Sequence, residues 1–205
     1  MQDLEIRGAG NILGAEQHGH MEAVGYDLYC KMLNQAVRSL KENKETVDFD
    51  TTIDMALDAY LPSSYIENES QKLDMYKKIA SIENEKDYSD LQDELIDRYG
   101  ELPLAAQYLL RVSLLKAQAH RCYVLDLVGK PRTITITMHE NAPFNLDNLQ
   151  AFLNLYRGRL RVIPGKNPKF IYEAAKSSFL VSEDLFTITK ELLENIKKHL
   201  LFTEG

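Results

Sequence analysis

The hydrophobic period of this chain switches repeatedly between helical spacing and two-residue spacing, and that switching limits the folds open to it. Val47, Phe49, Thr51, Ile53, Met55 and Leu57 alternate with Asp48, Asp50, Thr52, Asp54, Ala56 and Asp58. Such alternation reads as a half-buried strand, or two in line, with one acidic face. Thr133 to Met138 alternates as well and is rich in β-branched residues, so it predicts a second strand. Leu160 to Ile163 and Lys169 to Tyr172 flank Pro164-Gly165-Lys166-Asn167-Pro168, the pattern of a hairpin with a five-residue loop. Helical patterns cover residues 20–42, 69–82, 88–99, 103–121, 148–156 and 183–202. The last places Leu185, Ile188, Leu192, Ile196 and Leu200 along one side. Strands separated by helices, with a hairpin among them, indicate an α+β domain.

Composition narrows the function. The chain has 205 residues, 44% hydrophobic and 27% charged, as a globular protein would. No apolar run reaches the length of a membrane span, and the N-terminal residues lack a basic segment followed by an apolar one, so a cytoplasmic location is expected. Cys30 and Cys122 lie far apart within helical patterns and are expected to be reduced, buried thiols. The net charge of −7 argues against a stand-alone duplex-binding domain, which carries a basic face for phosphates. The nearest cationic groups are the pairs Lys77-Lys78 and Lys197-Lys198, each read as solvated on a helix.

Two stretches carry possible chemistry. The first holds Gly8, Gly10 and Gly14, with Arg7 and Gln17 beside them. Its spacing, Gly-x-Gly-x-x-x-Gly, does not fit the dinucleotide fingerprint, and no parallel strand is evident nearby. His18 and His20 lack further ligands at metal spacing. On residue types alone a structural glycine loop leading into a helix is the natural reading. The second stretch places Asp90, Asp93, Glu94 and Asp97 at i, i+3, i+4 and i+7, opposite Leu91, Leu95 and Tyr99. Like charges so spaced repel by a few tenths of a kcal/mol per pair. A solvated face is the ordinary explanation of such a stripe. The aspartates of the first strand read as edge protection and not as a metal site.

Both stretches resemble a known family. Arg7-Gly8-Ala9-Gly10, followed by Leu13-Gly14, Glu16-Gln17 and Gly19, is similar to the translocation motif of RecG-type helicases and transcription-repair coupling factors. Val24-Gly25-Tyr26 resembles the Gly-aromatic opening of the following helix in the coupling factors. Glu94-Leu95-Ile96-Asp97-Arg98-Tyr99-Gly100 resembles a block of their C-terminal domain. The resemblance implies two parts. Residues 1–44 would be the end of the motif in the second motor lobe, a helical hairpin remnant whose first helix lies mostly upstream. Residues 45–205 would be a mixed α+β regulatory domain of short strands and several helices.

It also implies roles. Arg7 and Gln17 would help couple ATP hydrolysis to movement on duplex DNA, with ATP and Mg bound by the parent motor and no cofactor in these residues. Glu94 and Asp97, with Asp90 and Asp93 beside them, would contact a UvrB-like domain of the same parent and so hide its UvrA-binding surface. The parent would bind RNA polymerase, UvrA and duplex DNA, and recruit nucleotide excision repair. A RecG origin fits less well, since that family lacks so long an α+β domain after its hairpin. A free-standing acidic adaptor that binds a partner protein is the alternative from another class.

The chain has no Gly-x-x-x-x-Gly-Lys-[Ser/Thr] loop, no HExxH and no CxxC. Gly129-Lys130 is followed by proline and Gly165-Lys166 by asparagine, so neither completes a phosphate loop. The isolated chain is therefore expected to hydrolyse no ATP and to bind duplex DNA only weakly and nonspecifically. A phosphate-release assay and a salt titration of DNA binding check this, and salt-resistant binding tighter than about 1 μM would contradict it.

Overall fold

The computed structural model describes residues 49–202. The expectations for Arg7, Gly8, Gly10, Gly14, Gln17 and Cys30, and for the helix at 20–42, lie outside the described residues. Within them the chain runs β1 (Thr52–Met55), α1 (Glu69–Ala80), α2 (Glu85–Tyr99), α3 (Leu104–Arg121), β2 (Val124–Lys130) and β3 (Thr133–Met138). A 3-10 turn at Leu146–Asn148 leads into α4 (Leu149–Leu155). Then come β4 (Leu160–Ile163), β5 (Lys169–Glu173) and α5 (Ser182–Asn195), which closes in a π-helical turn at Ile196–Leu200. This is the α+β fold that the switching periods indicate.

The strands form one sheet in the order β1-β2-β3-β5-β4. β1 runs parallel to β2, with Thr52 opposite Asp126 and Met55 opposite Gly129. The remaining neighbours are antiparallel. A parallel pair cannot be closed by a tight turn, and here α1, α2 and α3 together make the crossover. The sheet buries one face. Ile53, Leu127, Ile134, Ile136, Met138, Leu160, Phe170 and Tyr172 point into the core. Thr133, Thr135, Thr137 and Ile171 on the other face are only half-buried, and Asp54, Arg161 and Lys169 are exposed. An antiparallel sheet with one wet face alternates in just this way.

α3 fills the centre of the helical layer. Ala106, Leu109, Leu110, Val112, Leu115 and Ala119 are all buried, so the helix is apolar nearly all round. It packs against α1, α2, α5, β1 and β2. Ser113, buried among these, donates its hydroxyl to the Ile79 carbonyl and so ties α3 to the end of α1.

Three differences from the sequence reading have local causes. β2 was not legible, because a bulge between Val124 and Asp126 breaks its alternation; the buried positions are Val124, Leu127 and Gly129. Among the described residues of the acidic alternation at 47–58, only Thr52–Met55 form strand, and it ends there because the Leu57 N–H turns back to the Met55 carbonyl at 2.7 Å. α2 starts at Glu85 and not near Tyr88, because the Asn84 side chain accepts from the N–H groups of Lys86 and Asp87 at 2.9 and 3.0 Å. Gly129 leaves room for the Met55 sulfur, which would have to move aside for a Cβ at that position.

If α3 is the shared core element, truncating it should cost more than any surface change. Leu109→Ala is expected to lower stability by about 3 kcal/mol, read as a shift in the urea midpoint at an unchanged slope.

Candidate functional site

α2 is held so firmly that its outward side chains have fixed positions. At its start, Asp87 accepts from the Glu83 N–H at 3.0 Å and from the Asn84 amide at 2.9 Å, in addition to the Asn84 cap. At its end, Gly100 takes φ +86° and returns its N–H to the Ile96 carbonyl at 2.9 Å. The Tyr65 hydroxyl lies 3.0 Å from the Leu95 carbonyl and 3.1 Å from that of Gly100, where the last turn leaves acceptors free. Leu91 and Leu95 anchor the inner side, and Tyr99 meets Tyr65 edge-on at 5.8 Å.

The four carboxylates of the stripe do share one side of α2, but they are not equivalent. Glu94 receives Lys78 of α1 at 2.6 and 2.8 Å and Arg98 of its own helix at 2.8 Å. Asp90 pairs with Lys86 across one turn at 2.5 Å. Asp93 and Asp97 are exposed and form no ion pair among the described residues. Ile96, at 42% exposure, stands beside them, roughly 60° from Asp93 at the helical 100° per residue. The outer side of α2 therefore presents two free carboxylates with an apolar neighbour, backed by a neutralised pair.

Sequence reasoning found the four acids and missed the residues that sort them. Lys78 was visible only as a member of a solvated pair, and Arg98 only as part of the Glu94–Gly100 block. Ile96 did carry a signal, since it is an apolar residue out of phase with Leu91 and Leu95. Such a surface has the chemistry to receive cationic groups. Carboxylates fixed on a rigid helix receive guanidinium or ammonium groups without a further ordering cost.

Two grooves lined by described residues offer no catalytic set. One, of about 530 Å³, lies between α2, α3 and α5 and is lined by Tyr88, Arg111, Gln118, Phe186 and Lys190 among others. Its polar groups serve one another. Arg111 grips Glu183 at 2.6 and 3.0 Å while its guanidinium lies 4.0 Å from the Phe186 ring centre, and Glu85 takes Lys190 at 3.3 Å. No group of three or more His, Cys, Asp or Glu among the described residues is arranged to hold a metal. Nor is any described helix long and apolar enough to cross a membrane.

Comparison with known proteins decides the family. Residues 55–149, which include all of α2, match the TRCF domain. The transcription-repair-coupling factor of Bacillus subtilis (strain 168) is 41% identical over 153 residues, which is 74% of this chain and 13% of that protein. That of Staphylococcus haemolyticus is 33% identical over 204 residues, 90% of this chain and 17% of the relative. A crystal structure of the C-terminal domain of a transcription-repair coupling factor superposes with TM-score 0.59 at 26% identity, over 76% of this chain and 98% of that domain. The chain belongs to the transcription-repair coupling factor family. It spans less than a fifth of the length of these relatives and corresponds to the C-terminal region of a coupling factor.

Within that family domain, the Glu94 brace has a pH signature. The hydrogen bonds from Lys78 and then Arg98 hold its carboxyl below the ordinary carboxylate range. A pKa lower in the folded state than in the unfolded chain stabilises the fold at neutral pH, and that contribution is lost as pH falls through the folded value. Glu94→Gln is expected to cost up to about 1 kcal/mol at neutral pH, since the pair is partly exposed. The difference from the parent chain should then close in acid. Urea midpoints measured from neutral pH down through the carboxylate range check both parts.

Proposed function

We propose that this chain is the autoinhibitory C-terminal domain of a transcription-repair coupling factor. In the closed state its α2 surface holds the UvrB-like domain of the same protein and keeps UvrA from reaching it. The observation that carries this reading is the pairing pattern on α2: Asp93 and Asp97 are free, fixed and flanked by exposed Ile96. Glu94 and Asp90 stand at the margin of the contact, already matched to Lys78, Arg98 and Lys86. Cations on the partner would complete the two unmatched carboxylates, and Ile96 would supply the dry centre that such contacts favour.

On the same reading, Arg7 and Gln17 couple ATP hydrolysis to DNA translocation by the parent motor, which binds ATP and Mg and acts on stalled RNA polymerase. Their support is the motif itself.

The magnitude of the contact makes it testable. Close, desolvated charge pairs couple by roughly 1.5–7 kcal/mol, and about 1.4 kcal/mol is tenfold in affinity. Asp93→Lys combined with Asp97→Lys, in the intact coupling factor, is expected to raise UvrA affinity by about tenfold or more. Leaving Glu94 in place keeps the brace between α1 and α2, so the melting temperature should hold. If UvrA binding stays at the closed level while the double variant remains folded, the acidic side of α2 is only a solvated face.

A further inference from the structure

A second surface, independent of α2, lies at the far edge of the sheet. Residues 157–169 contain Arg157, Arg159, Arg161, Lys166 and Lys169 and no carboxylate, in a chain whose net charge is −7. The sequence reading sought adjacent cations and passed over this stretch, because turn and strand geometry spaces its charges by two residues or more. All five side chains are exposed. Arg161 is shared with Glu173 at 3.1 Å and Lys166 with Glu140 at 3.2 Å. Arg157, Arg159 and Lys169 have no carboxylate partner among the described residues. The turn that presents the first of them is constrained, with Arg157 at φ 51° and Gly158 at φ 79°.

These charges border an unused strand edge. β4 is terminal in the sheet and pairs only with β5 among the described residues. The bond from the Glu173 N–H to the Arg159 carbonyl, at 2.8 Å, sets the phase of that ladder. Arg161 and Ile163 therefore turn their backbone polar groups toward β5, and Leu160 and Val162 turn theirs outward. The side chains alternate in the opposite sense: Leu160 and Val162 lean into the core, while Arg161 and Ile163 stand on the wet face.

We propose that the β4 edge is a docking site for an extended acidic segment of a partner protein, added to the sheet as a sixth strand through the backbone groups of Leu160 and Val162. Backbone pairing supplies the alignment, and the side-chain pattern states the partner's chemistry. Acidic residues at alternate positions would fall on the wet face beside Arg161, with Lys169 one strand further in on β5. Apolar residues between them would extend the inner face beside Leu160 and Val162. Exposed charge is also a common device for keeping sheet edges apart. Here Glu173 and Glu140 offset only Arg161 and Lys166, and the excess cations Arg157, Arg159 and Lys169 repel a second basic edge and admit an acidic strand.

The probe is a fluorescein-labelled peptide of alternating Glu and Val, titrated with the 205-residue chain at low salt and followed by anisotropy. Saturable binding is expected, with loss of about tenfold or more in affinity for Arg159→Glu combined with Lys169→Glu. Val162→Pro removes one outward N–H at an edge position where proline is compatible with a strand, and it should abolish binding. The amides of Leu160 and Val162 should gain hydrogen-exchange protection when peptide is added, a readout that serves if the proline variant loses its fold. Three results would each overturn the proposal: no peptide binding across the titration, a folded proline variant that binds unchanged, or a short DNA duplex that binds more tightly than the peptide.

Discussion

Everything else in the structure depends on the burial of α3 against β1 and β2. The parallel pairing of β1 with β2 is open to the chain only if a long crossover returns over the sheet, and α3 is the last leg of that crossover. Fully burying one leucine contributes roughly 1.5–3 kcal/mol, and α3 buries Leu109, Leu110 and Leu115 in adjacent turns. Its other sides then receive α1, α2 and α5, so the acidic helix is fixed by the same element that closes the sheet. The end of α3 shows how tight this junction is. Cys122 caps it through its backbone N–H and carries a buried thiol pushed up to about 11 by desolvation, which removes the reactive thiolate at neutral pH. Tyr123 turns the chain at φ 60° into β2.

How much of this was legible in the sequence depended on whether one period governed each segment. β3, β4, β5 and α3 were readable because each keeps a single spacing from end to end. β2 was not, since its bulge moves the inward positions from Val124 to Leu127 and Gly129, and the second of these carries no side chain to mark the alternation. The last helix was read as continuous to 202. In the structure it widens to a π turn at Ile196–Leu200, which keeps Ile196 and Leu200 both buried while the chain swings to pair Leu201 with Phe144. Tertiary packing decides such a widening, and no local pattern records it.

The surface on α2 was legible in its charges and not in their pairing. A stripe of acids at helical spacing fixes which side they share, but it is silent about neighbours brought up by another helix. Lys78 reaches Glu94 only because α1 and α2 pack side by side, sixteen residues apart in sequence. The same blindness applied at β4, where cations dispersed along the chain converge only once the turn and the strand are formed. In both places residue types gave the sign of the charge, and topology gave its availability.

Availability separates a solvated face from a recognition face. Four like charges on one side of a helix repel one another, and a free helix would be slightly weakened by them. Here Lys78, Arg98 and Lys86 relieve that repulsion at Glu94 and Asp90, which lets α2 keep its shape. They leave Asp93 and Asp97 uncompensated. Residual repulsion between two fixed carboxylates persists while the domain is alone and is removed when a cationic partner arrives. The proposed docking would thus draw on a difference between the free and bound states rather than on attraction alone, and only such a difference can bias a two-state protein. A partner that met an already neutralised stripe would gain little by binding, so the proposed clamp depends on the division of the four acids into a braced pair and a free pair.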